Sequence, residues 1–431
     1  MTGAQWAGIL VLASSALALA GCATQGGVIG STQQSAELPT AASAARAVST
    51  PAERNALIAS DEATTSQLER ASEEGVAVAN ELKWVEREEG AAAGTVAAGE
   101  YLVTYLITPA DDFYDLEAAP SSSPAHHTTV EPGSAHVGVV VRDAADGRTV
   151  PGLDVQATLR SSNGSATRNA TRNATRAVIL TESRKASLPF GWHPVLNRYG
   201  DNMILPDGPF TIEVLIARPT YARHDSTNGN RYRQSVMASF ANVVVNPDSL
   251  VAASRRLARG DTPVAQSLAS REGDILGRQI TQGMNAAEMR GVQATSGDYR
   301  VAVTVQPTHG YWKDVNGRLI YIPPDTSIGR VSHLDVTIRD AASGRLIPEL
   351  SVRAVLIDSR GRELDTYAMP FMWHPWSSHY GLDVAVPGTG RYSIRIRANA
   401  PAFRRYGSAA LRKFNRPLDV LLRGLSFSAR R

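Results

Sequence analysis

The sequence predicts a mainly β protein with two immunoglobulin-like antiparallel β-sandwich domains, each preceded by a helical segment. Apolar and polar residues alternate in short stretches such as residues 333–339, as they do in strands with one buried face. Turns containing glycine and proline separate these stretches, which is typical of a sandwich. The same series of stretches occurs twice in the chain, so we expect two such domains.

The helical segment comes first in each repeat. Residues 52–89 and 263–290 are polar, rich in good helix formers, and space their apolar residues three or four positions apart, which predicts helices. Tyr101–Pro109 and Tyr299–Pro307 then match each other as opening strands. A repeat of about 180–200 residues indicates the duplication of a whole domain rather than a solenoid.

The strands of the sandwich follow the opening strand. In residues 333–339 every second side chain is apolar, and a turn follows in which Gly344 suits a positive φ. Residues 350–356 and 392–396 alternate in the same way. These stretches are therefore predicted to be strands that bury one face in a common core.

These observations divide the chain into four parts. Residues 1–21 are predicted to be a lipoprotein signal peptide, and residues 22–51 a flexible tether. Residues 52–249 form the first repeat, with a degenerate sandwich, and residues 250–431 form the second, with the fuller set of metal-ligand types. The first repeat also carries Ala-Thr-Arg-Asn units within residues 163–181, which we expect to form an exposed loop.

The N-terminus resembles the export signal of a bacterial lipoprotein. An uncharged apolar run of about fifteen residues is too short to span a bilayer and suits a signal peptide. It ends in Leu19-Ala20-Gly21-Cys22, which resembles a lipobox and makes Cys22 the predicted lipidation site. Cys22 is the only cysteine, so an anchor explains it better than a disulfide. A plain secretory signal with a chance cysteine is the alternative.

The residue after Cys22 bears on localisation. Ala23 occupies that position, and by analogy with Gram-negative sorting it favours the outer membrane over the inner one. We therefore expect a periplasmic protein that is anchored to the membrane by lipid.

Charge and motifs argue against several classes of function. A net charge of +3 is too small to indicate a nucleic-acid partner. Basic residues gather near the C-terminus from Arg404 and Arg405 onward, which predicts a solvated face or, alternatively, contact with anionic lipid or an acidic partner. The chain has no P-loop, nucleophile elbow, haem-attachment motif or zinc-protease helix, so we do not expect an enzyme.

The two repeats differ in residue types that bind metal ions. At four matching positions, the second repeat has Asp335, Met369, Met372 and His379 where the first has Gly138, Leu188, Gly191 and Arg198. Copper suits a mixture of thioether and imidazole ligands best, whereas Fe(II) or Mn(II) could use the histidine and carboxylate members. Alternation places His333 beside Asp335 on one strand face, and a polar loop would bring Met372 and His379 together.

Each candidate also has a structural interpretation. His333 has a counterpart, His136, in the first repeat, so its role could be structural. His374 lies in a Trp-His-Pro motif that both repeats share, which favours a scaffold hydrogen bond. Met372 could fill a gap in the core, and Asp335 could be a solvated strand residue.

The motifs of the second repeat resemble those of a known family. They read His333-Leu-Asp335, Met369-Pro-Phe-Met372, His379-Tyr-Gly381 and Gly390-Arg-Tyr392. They look like the periplasmic iron-transport-associated copper- and iron-binding proteins, the Fe2+ transport protein family. The match is good over residues 297–427 and weaker over residues 99–245, which implies a tandem duplication. Members are small sandwiches that dimerise and bind copper, with an iron- or manganese-type site nearby.

The resemblance implies specific ligands in this chain. His333, Met372 and His379 match the copper ligands, and Asp335 takes the place of a nearby acid. Trp376 stands where the family has a second acid.

A further ligand follows from the family's dimer. There, a late histidine from the partner subunit completes each copper site. The second repeat lacks this histidine, but the first repeat has it as His224. The resemblance therefore implies a pseudo-dimeric monomer with one site between the repeats, closed by His224; the alternative is that His224 is an exposed loop residue.

We expect a membrane-anchored periplasmic lipoprotein that binds copper or iron and acts in metal acquisition. An iron permease or another envelope transport protein would be its partner, because genes of the family often accompany such permeases. One alternative is an interaction lipoprotein of the envelope with vestigial ligands, and another is a copper-resistance chaperone. Metal analysis and the neighbouring genes would separate these functions.

Overall fold

The structure is a computed structural model that describes residues 60–115, 126–128, 130–162, 183–259, 262–286, 290–324, 331–385, 388–407, 410 and 412–427. The predicted signal peptide, Cys22, the tether and the Ala-Thr-Arg-Asn insertion lie outside these residues. Within them, the prediction of a mainly β, sandwich-like fold with helical leads is confirmed. No helix in the described ranges is long and apolar enough to cross a membrane.

We call residues 60–246 the first half of the chain and residues 247–427 the second half. The first half begins with helix α1 (Thr65–Glu88), which starts where the Gln67 side chain accepts the backbone N–H of Thr64 at 2.8 Å. Its strands are β1 (Ala92–Ala98), β2 (Tyr101–Pro109), β3 (Phe113–Asp115), β4 (His126–Thr128), β5 (Ser134–Asp143), β6 (Val155–Ser161), β7 (Ser183–Ser187), β8 (Phe190–Trp192), β9 (Arg198–Ile204), β10 (Phe210–Ile216), β11 (Ala222–His224) and β12 (Val236–Val243).

The second half begins with helices α2 (Pro247–Arg259) and α3 (Thr262–Asn285). Its strands are β13 (Arg290–Ser296), β14 (Tyr299–Pro307), β15 (Tyr311–Val315), β16 (Arg318–Ile322), β17 (Val331–Asp340), β18 (Val352–Ile357), β19 (Glu363–Met369), β20 (Phe371–Trp373), β21 (His379–Ala385), β22 (Gly390–Ala398), β23 (Arg404–Tyr406) and β24 (Leu418–Phe427). Helices α1 and α3 lie over the two stretches predicted to be helical. Gly344 has a φ of 79° in the predicted turn.

The two halves contain sheets of matching strand order. The eight-stranded sheet is β1-β2-β5-β9-β8-β23-β3-β4 in the first half and β13-β14-β17-β21-β20-β11-β15-β16 in the second. The four-stranded sheet is β12-β10-β6-β7 in the first half and, read in the corresponding direction, β24-β22-β18-β19 in the second. Inward-facing apolar residues of the large and small sheets belong to one buried cluster, which is the core of a sandwich.

The halves exchange one short strand each. Strand β23 of the second half lies between β8 and β3 of the first half, parallel to β8. Strand β11 of the first half lies between β20 and β15 of the second, parallel to β20. Each large sheet is therefore completed by backbone hydrogen bonds from the other half of the chain, a feature that strand propensity alone does not predict.

Buried arginines also connect the two halves. Arg148 of the first half donates to the carbonyl oxygens of His374 and Pro375 at 3.2 and 2.8 Å. Arg345 of the second half donates to the carbonyl oxygens of His193 and Val195, both at 2.8 Å. Charged donors of this kind satisfy carbonyl groups that would be costly to bury unpaired.

The C-terminal basic cluster differs from its predicted solvated face. Arg405 is fully buried at the centre of β23 and donates to the carbonyl oxygens of Pro401, Phe403 and Lys413. Its position on the exchanged strand matches that of Arg223 in β11, which is also buried and donates to the carbonyl of Pro219 at 2.8 Å. The solvated-face prediction was wrong for Arg405 because a guanidinium can be buried when backbone carbonyls accept its N–H groups.

Candidate metal centre

One face of the large sheet of the second half carries the candidate site. Residues paired across neighbouring strands point to the same face, as do residues two apart on one strand. The register pairs His333 with Asp383 and Met372 with His379. Strand β11 runs parallel to β20 in a register that puts His224 on the same face. The strand exchange therefore brings a histidine of the first half to the ligand candidates of the second.

Three buried histidines, His224, His333 and His379, come together on this face, and we call them the imidazole trio. Each is at most 1% exposed. One ring nitrogen from each lies within 4.8 Å of the others, and the Nε2 atoms of His333 and His379 are 3.2 Å apart. Metal–nitrogen bonds of about 2.0–2.1 Å place ligand nitrogens roughly 3–4 Å apart, so the spacing of the His333 and His379 nitrogens fits one ion, and a nitrogen of His224 lies close by.

The outer nitrogen of each ring in the trio contacts an acceptor. The Nδ1 atoms of His333, His379 and His224 lie 2.8 Å from Asp383 Oδ1, 3.1 Å from the Ser377 carbonyl oxygen and 3.1 Å from Glu62 Oε2. Carboxylate and carbonyl oxygens only accept, so each Nδ1 carries the ring proton. The Nε2 lone pairs are left facing the interior of the site.

Converging lone pairs favour a cation. The Nε2 lone pairs of His333 and His379 repel each other across 3.2 Å, and the buried Nε2 of His224 has no hydrogen-bond partner among the described residues. A metal ion would satisfy all three nitrogens at once. Outer acceptors that fix the ring proton are also the usual second layer of a histidine metal site.

Burial keeps the His224 and His333 rings neutral. Burial lowers the pKa of His224 to about 3, although the hydrogen bond with Glu62 acts in the opposite direction. Burial lowers the pKa of His333 to about 4, against the hydrogen bond with Asp383. Neutral imidazole is the form that binds metal, so these two rings are ready to coordinate at neutral pH.

Gly381 leaves the space between the rings of the trio open. A Cβ atom at this position would lie 2.6 Å from His333 Nε2 and 2.8 Å from His379 Nε2. Any side chain here would therefore occupy the point on which these nitrogens converge. Gly381 lies within β21, so a glycine is needed here to leave room for the imidazole rings and not to make a turn.

The other two predicted ligands lie beside the trio. Met372 is 2% exposed and is paired with His379 across β20 and β21, so its thioether shares the face of the site. Asp335 accepts from Thr337 Oγ1 at 3.3 Å and lies 3.8 Å from Nδ1 of His379. It therefore approaches the outer nitrogen of that ring rather than the converging Nε2 atoms.

A second group shares His224 with the trio. Glu62, which precedes α1, has its Oε2 atom 3.1 Å from His224 Nδ1 and 3.4 Å from His374 Nε2. Burial alone would raise the pKa of Glu62, but hydrogen bonds with both histidines outweigh it and hold the pKa well below the usual range. Glu62 is therefore a buried carboxylate next to the candidate centre.

The corresponding face of the first half is built differently. His136 is retained, but Tyr406 of β23 occupies the position of His224, and a Cβ at Gly191 would lie 1.9 Å from the Tyr406 ring. The guanidinium of Arg198, at the position of His379, stacks 4.8 Å from that ring and lies 3.4 Å from Glu89. The positively charged guanidinium of Arg198 therefore occupies the position where imidazole rings meet in the second half.

Sequence reasoning missed two residues of this region. Asp383 could have been found, because alternation along β21 puts residues 379, 381 and 383 on one face. Glu62 gave no local signal, since its contact with His224 spans 162 positions. Only the folded chain brings it to the site.

No protein-family model and no curated protein matches this chain. Solved structures show weak similarity. FetP from uropathogenic Escherichia coli strain F11 has 15% identity and a TM-score of 0.26, covering 34% of this chain and 100% of that protein. Copper-reconstituted P19 from Campylobacter jejuni has 14% identity and a TM-score of 0.24, covering 33% of this chain and 98% of that protein. Similarities this weak assign no function.

Proposed function

We propose that this protein is an exported metal-binding protein that holds one copper ion at the imidazole trio, with Met372 as a thioether ligand. The observation that carries the proposal is the convergence of three buried imidazoles whose Nδ1 partners fix the ring protons outward. Thioether and imidazole together favour copper over harder ions. Asp335, whose Oδ2 atom lies 3.8 Å from Nδ1 of His379, would add a negative charge near the ion.

We also propose that the two halves arose by tandem duplication and now act as a fused pseudo-dimer. The matching strand orders and the reciprocal exchange of β11 and β23 support this origin. In this proposal only the second half retains a working centre, and His224 reaches it from the first half. Lipid anchoring at Cys22, a periplasmic location, and a role in iron or copper acquisition with a transport partner complete the proposal. These parts rest on the sequence patterns.

Copper titration of wild-type protein and a His224→Ala variant tests the proposal. We expect one ion per wild-type chain and at least about a tenfold weaker affinity in the variant, because one of three imidazole ligands is lost. His136→Ala is the matched control, since His136 is equally buried at the counterpart of His333. It should leave copper affinity unchanged.

Two results would contradict the proposal. Wild-type protein that binds no copper would remove the function and leave an envelope interaction protein as the alternative. Unchanged copper affinity and absorption spectrum in His224→Ala would show that the first half contributes no ligand.

A further inference from the structure

The segment before α1 covers the candidate metal centre. We call residues 60–64 the cap segment. Its Asp61 accepts the backbone N–H of Ser226 at 3.0 Å, and its Glu62 accepts the backbone N–H of Asp225 through Oε1 at 3.0 Å. The Glu62 side chain is only 5% exposed. The cap segment is thus fastened to the residues that directly follow His224 in the chain.

Glu62 contacts three N–H donors with two oxygens. Oε1 accepts from Asp225, while Oε2 lies 3.1 Å from His224 Nδ1 and 3.4 Å from His374 Nε2. Two explanations account for this cluster: Glu62 could bind a second ion together with both histidines, or it could accept their protons. The position of the proton on His374 decides between them.

His374 carries its proton on the nitrogen that faces Glu62. Its Nδ1 accepts the backbone N–H of Trp376 at 3.3 Å, so the neutral ring must be protonated at Nε2. A protonated Nε2 donates to Glu62 and cannot ligate a metal. The geometry therefore favours a hydrogen bond over a second ion.

The first half contains the same contact without an imidazole trio. His193 Nδ1 accepts the backbone N–H of Val195 at 3.2 Å, and its Nε2 lies 3.3 Å from Glu89 Oε1. Glu89 directly follows α1, whereas Glu62 shortly precedes it. In both halves, therefore, the histidine of the Trp-His-Pro motif contacts a buried carboxylate. Of the two carboxylates, only Glu62 also contacts a member of the trio.

We propose that Glu62 is the positioning residue of the metal centre. By accepting the Nδ1 proton of His224, it turns the Nε2 lone pair of that ring toward His333 and His379, and its negative charge offsets part of the charge of the ion. The copper part of this inference rests on the proposed function. The cap segment thereby links the start of α1 to the affinity of the centre.

A Glu62→Gln variant separates this role from simple packing. An amide has one acceptor oxygen, so its NH2 group must face either the Asp225 N–H or the two histidine N–H groups. Glu89→Gln is the matched control, because it removes the same carboxylate–histidine contact from the half without the trio. Both variants are compared with wild type by copper titration and by the electron paramagnetic resonance spectrum of bound Cu(II).

We expect Glu62→Gln to bind one copper ion about 10–100-fold more weakly, as is typical when an outer partner of a metal ligand is lost. Its resonance spectrum should change, while Glu89→Gln should keep the wild-type affinity and spectrum even if its melting temperature falls. Wild-type affinity and spectrum in Glu62→Gln would overturn the proposal. So would two ions in wild type and one in Glu62→Gln, because Glu62 would then be a ligand of a second ion.

A metal-free measurement keeps this inference separate from the proposed function. In metal-free wild type, nitrogen-15 NMR should show His224 protonated at Nδ1, and a Glu62→Leu variant, which offers no acceptor to that nitrogen, should shift the proton toward Nε2. That shift supports the positioning role even if copper does not bind. An identical His224 tautomer in both proteins would overturn it even if copper does bind.

Discussion

At the scale of single residues, the two halves differ at a few positions that line the candidate site and its counterpart. Both large sheets keep a buried histidine at one position, His136 or His333. The first half then places an arginine and a tyrosine where the second has imidazoles, and the Arg198 guanidinium supplies the positive charge there. A metal ion at the trio would solve the same electrostatic problem as this guanidinium, because a buried carboxylate lies close to each position.

Gly381→Ala is expected to abolish copper binding at the trio. The added methyl group would lie within 2.6–2.8 Å of two of the converging nitrogens, where the ion must sit. Copper titration of the folded variant measures the effect, and we expect affinity to fall at least about 100-fold, consistent with the loss of more than one ligand contact.

Gly200→Ala serves as the control for that substitution. A Cβ there would lie 2.4 Å from His136 Nε2, so the local clash is similar, but no trio is affected. Both variants should be less stable than wild type, but only Gly381→Ala should have a lower affinity for copper. Equal copper affinity in the two variants would show that the ion does not sit beside Gly381.

At the scale of elements, helix α1 carries more buried acid than a surface helix does. Glu62 and Glu89 flank it and contact histidines of different halves. Glu74 and Glu81 are buried on its inner face. Burial raises the pKa of Glu74 to about 8, although the nearby Arg148 acts in the opposite direction. The carboxyl group is therefore protonated in the folded protein at neutral pH.

Glu74→Gln should stabilise the protein at alkaline pH. The pKa of this group is raised on folding, so the folded state binds more protons between its unfolded value of 4.5 and about 8, and stability falls as pH rises through this window. The amide has no proton to lose, so the variant should gain at least about 1 kcal/mol over wild type at pH 8.5.

Thermal unfolding at two pH values checks this expectation. Wild type and Glu74→Gln should have similar melting temperatures at pH 4.5, because Glu74 retains much of its proton there in both the folded and the unfolded wild type. Glu73→Gln is the control, because Glu73 is exposed on the same helix turn. A gain of equal size at both pH values would point to packing rather than to ionisation.

At the scale of the whole molecule, the exchanged strands make each half depend on the other. Each large sheet has an internal strand from the opposite half, and buried arginines join the halves in both directions. Removing either half would expose unpaired backbone groups inside a sheet, which costs several kcal/mol. We therefore expect both halves to unfold in one transition.

Cutting the chain between the halves should leave them together. A protease site inserted within Val244–Asn246, where Val244 is 61% exposed, lies between β12 and α2. After cleavage, size-exclusion chromatography in native buffer should show one species of the intact size, and denaturant should separate the fragments. Separation in native buffer would mean that the exchanged strands do not hold the halves together.

The sequence by itself determined the class of fold and the half that carries the fuller ligand set. Alternation and turns are local properties, so strands such as β2, β14 and β17 could be predicted from residue order alone. Metal-ligand types at Met372 and His379 were visible for the same reason, since the unequal repeat points to them without any knowledge of packing. His333 is shared with the first repeat as His136, so its predicted role as a ligand came from the family resemblance.

Only the tertiary structure decided how the site is completed. Strand exchange depends on backbone pairing between segments that are far apart in the chain. Such pairing produces no recurring pattern of residues in either segment, so the sequence does not reveal it. It brings His224 into the trio, and the docking of α1 brings Glu62 behind it. The resemblance to a dimeric family implied His224, but the orientation of its ring depends on a carboxylate 162 positions away, which only the folded chain supplies.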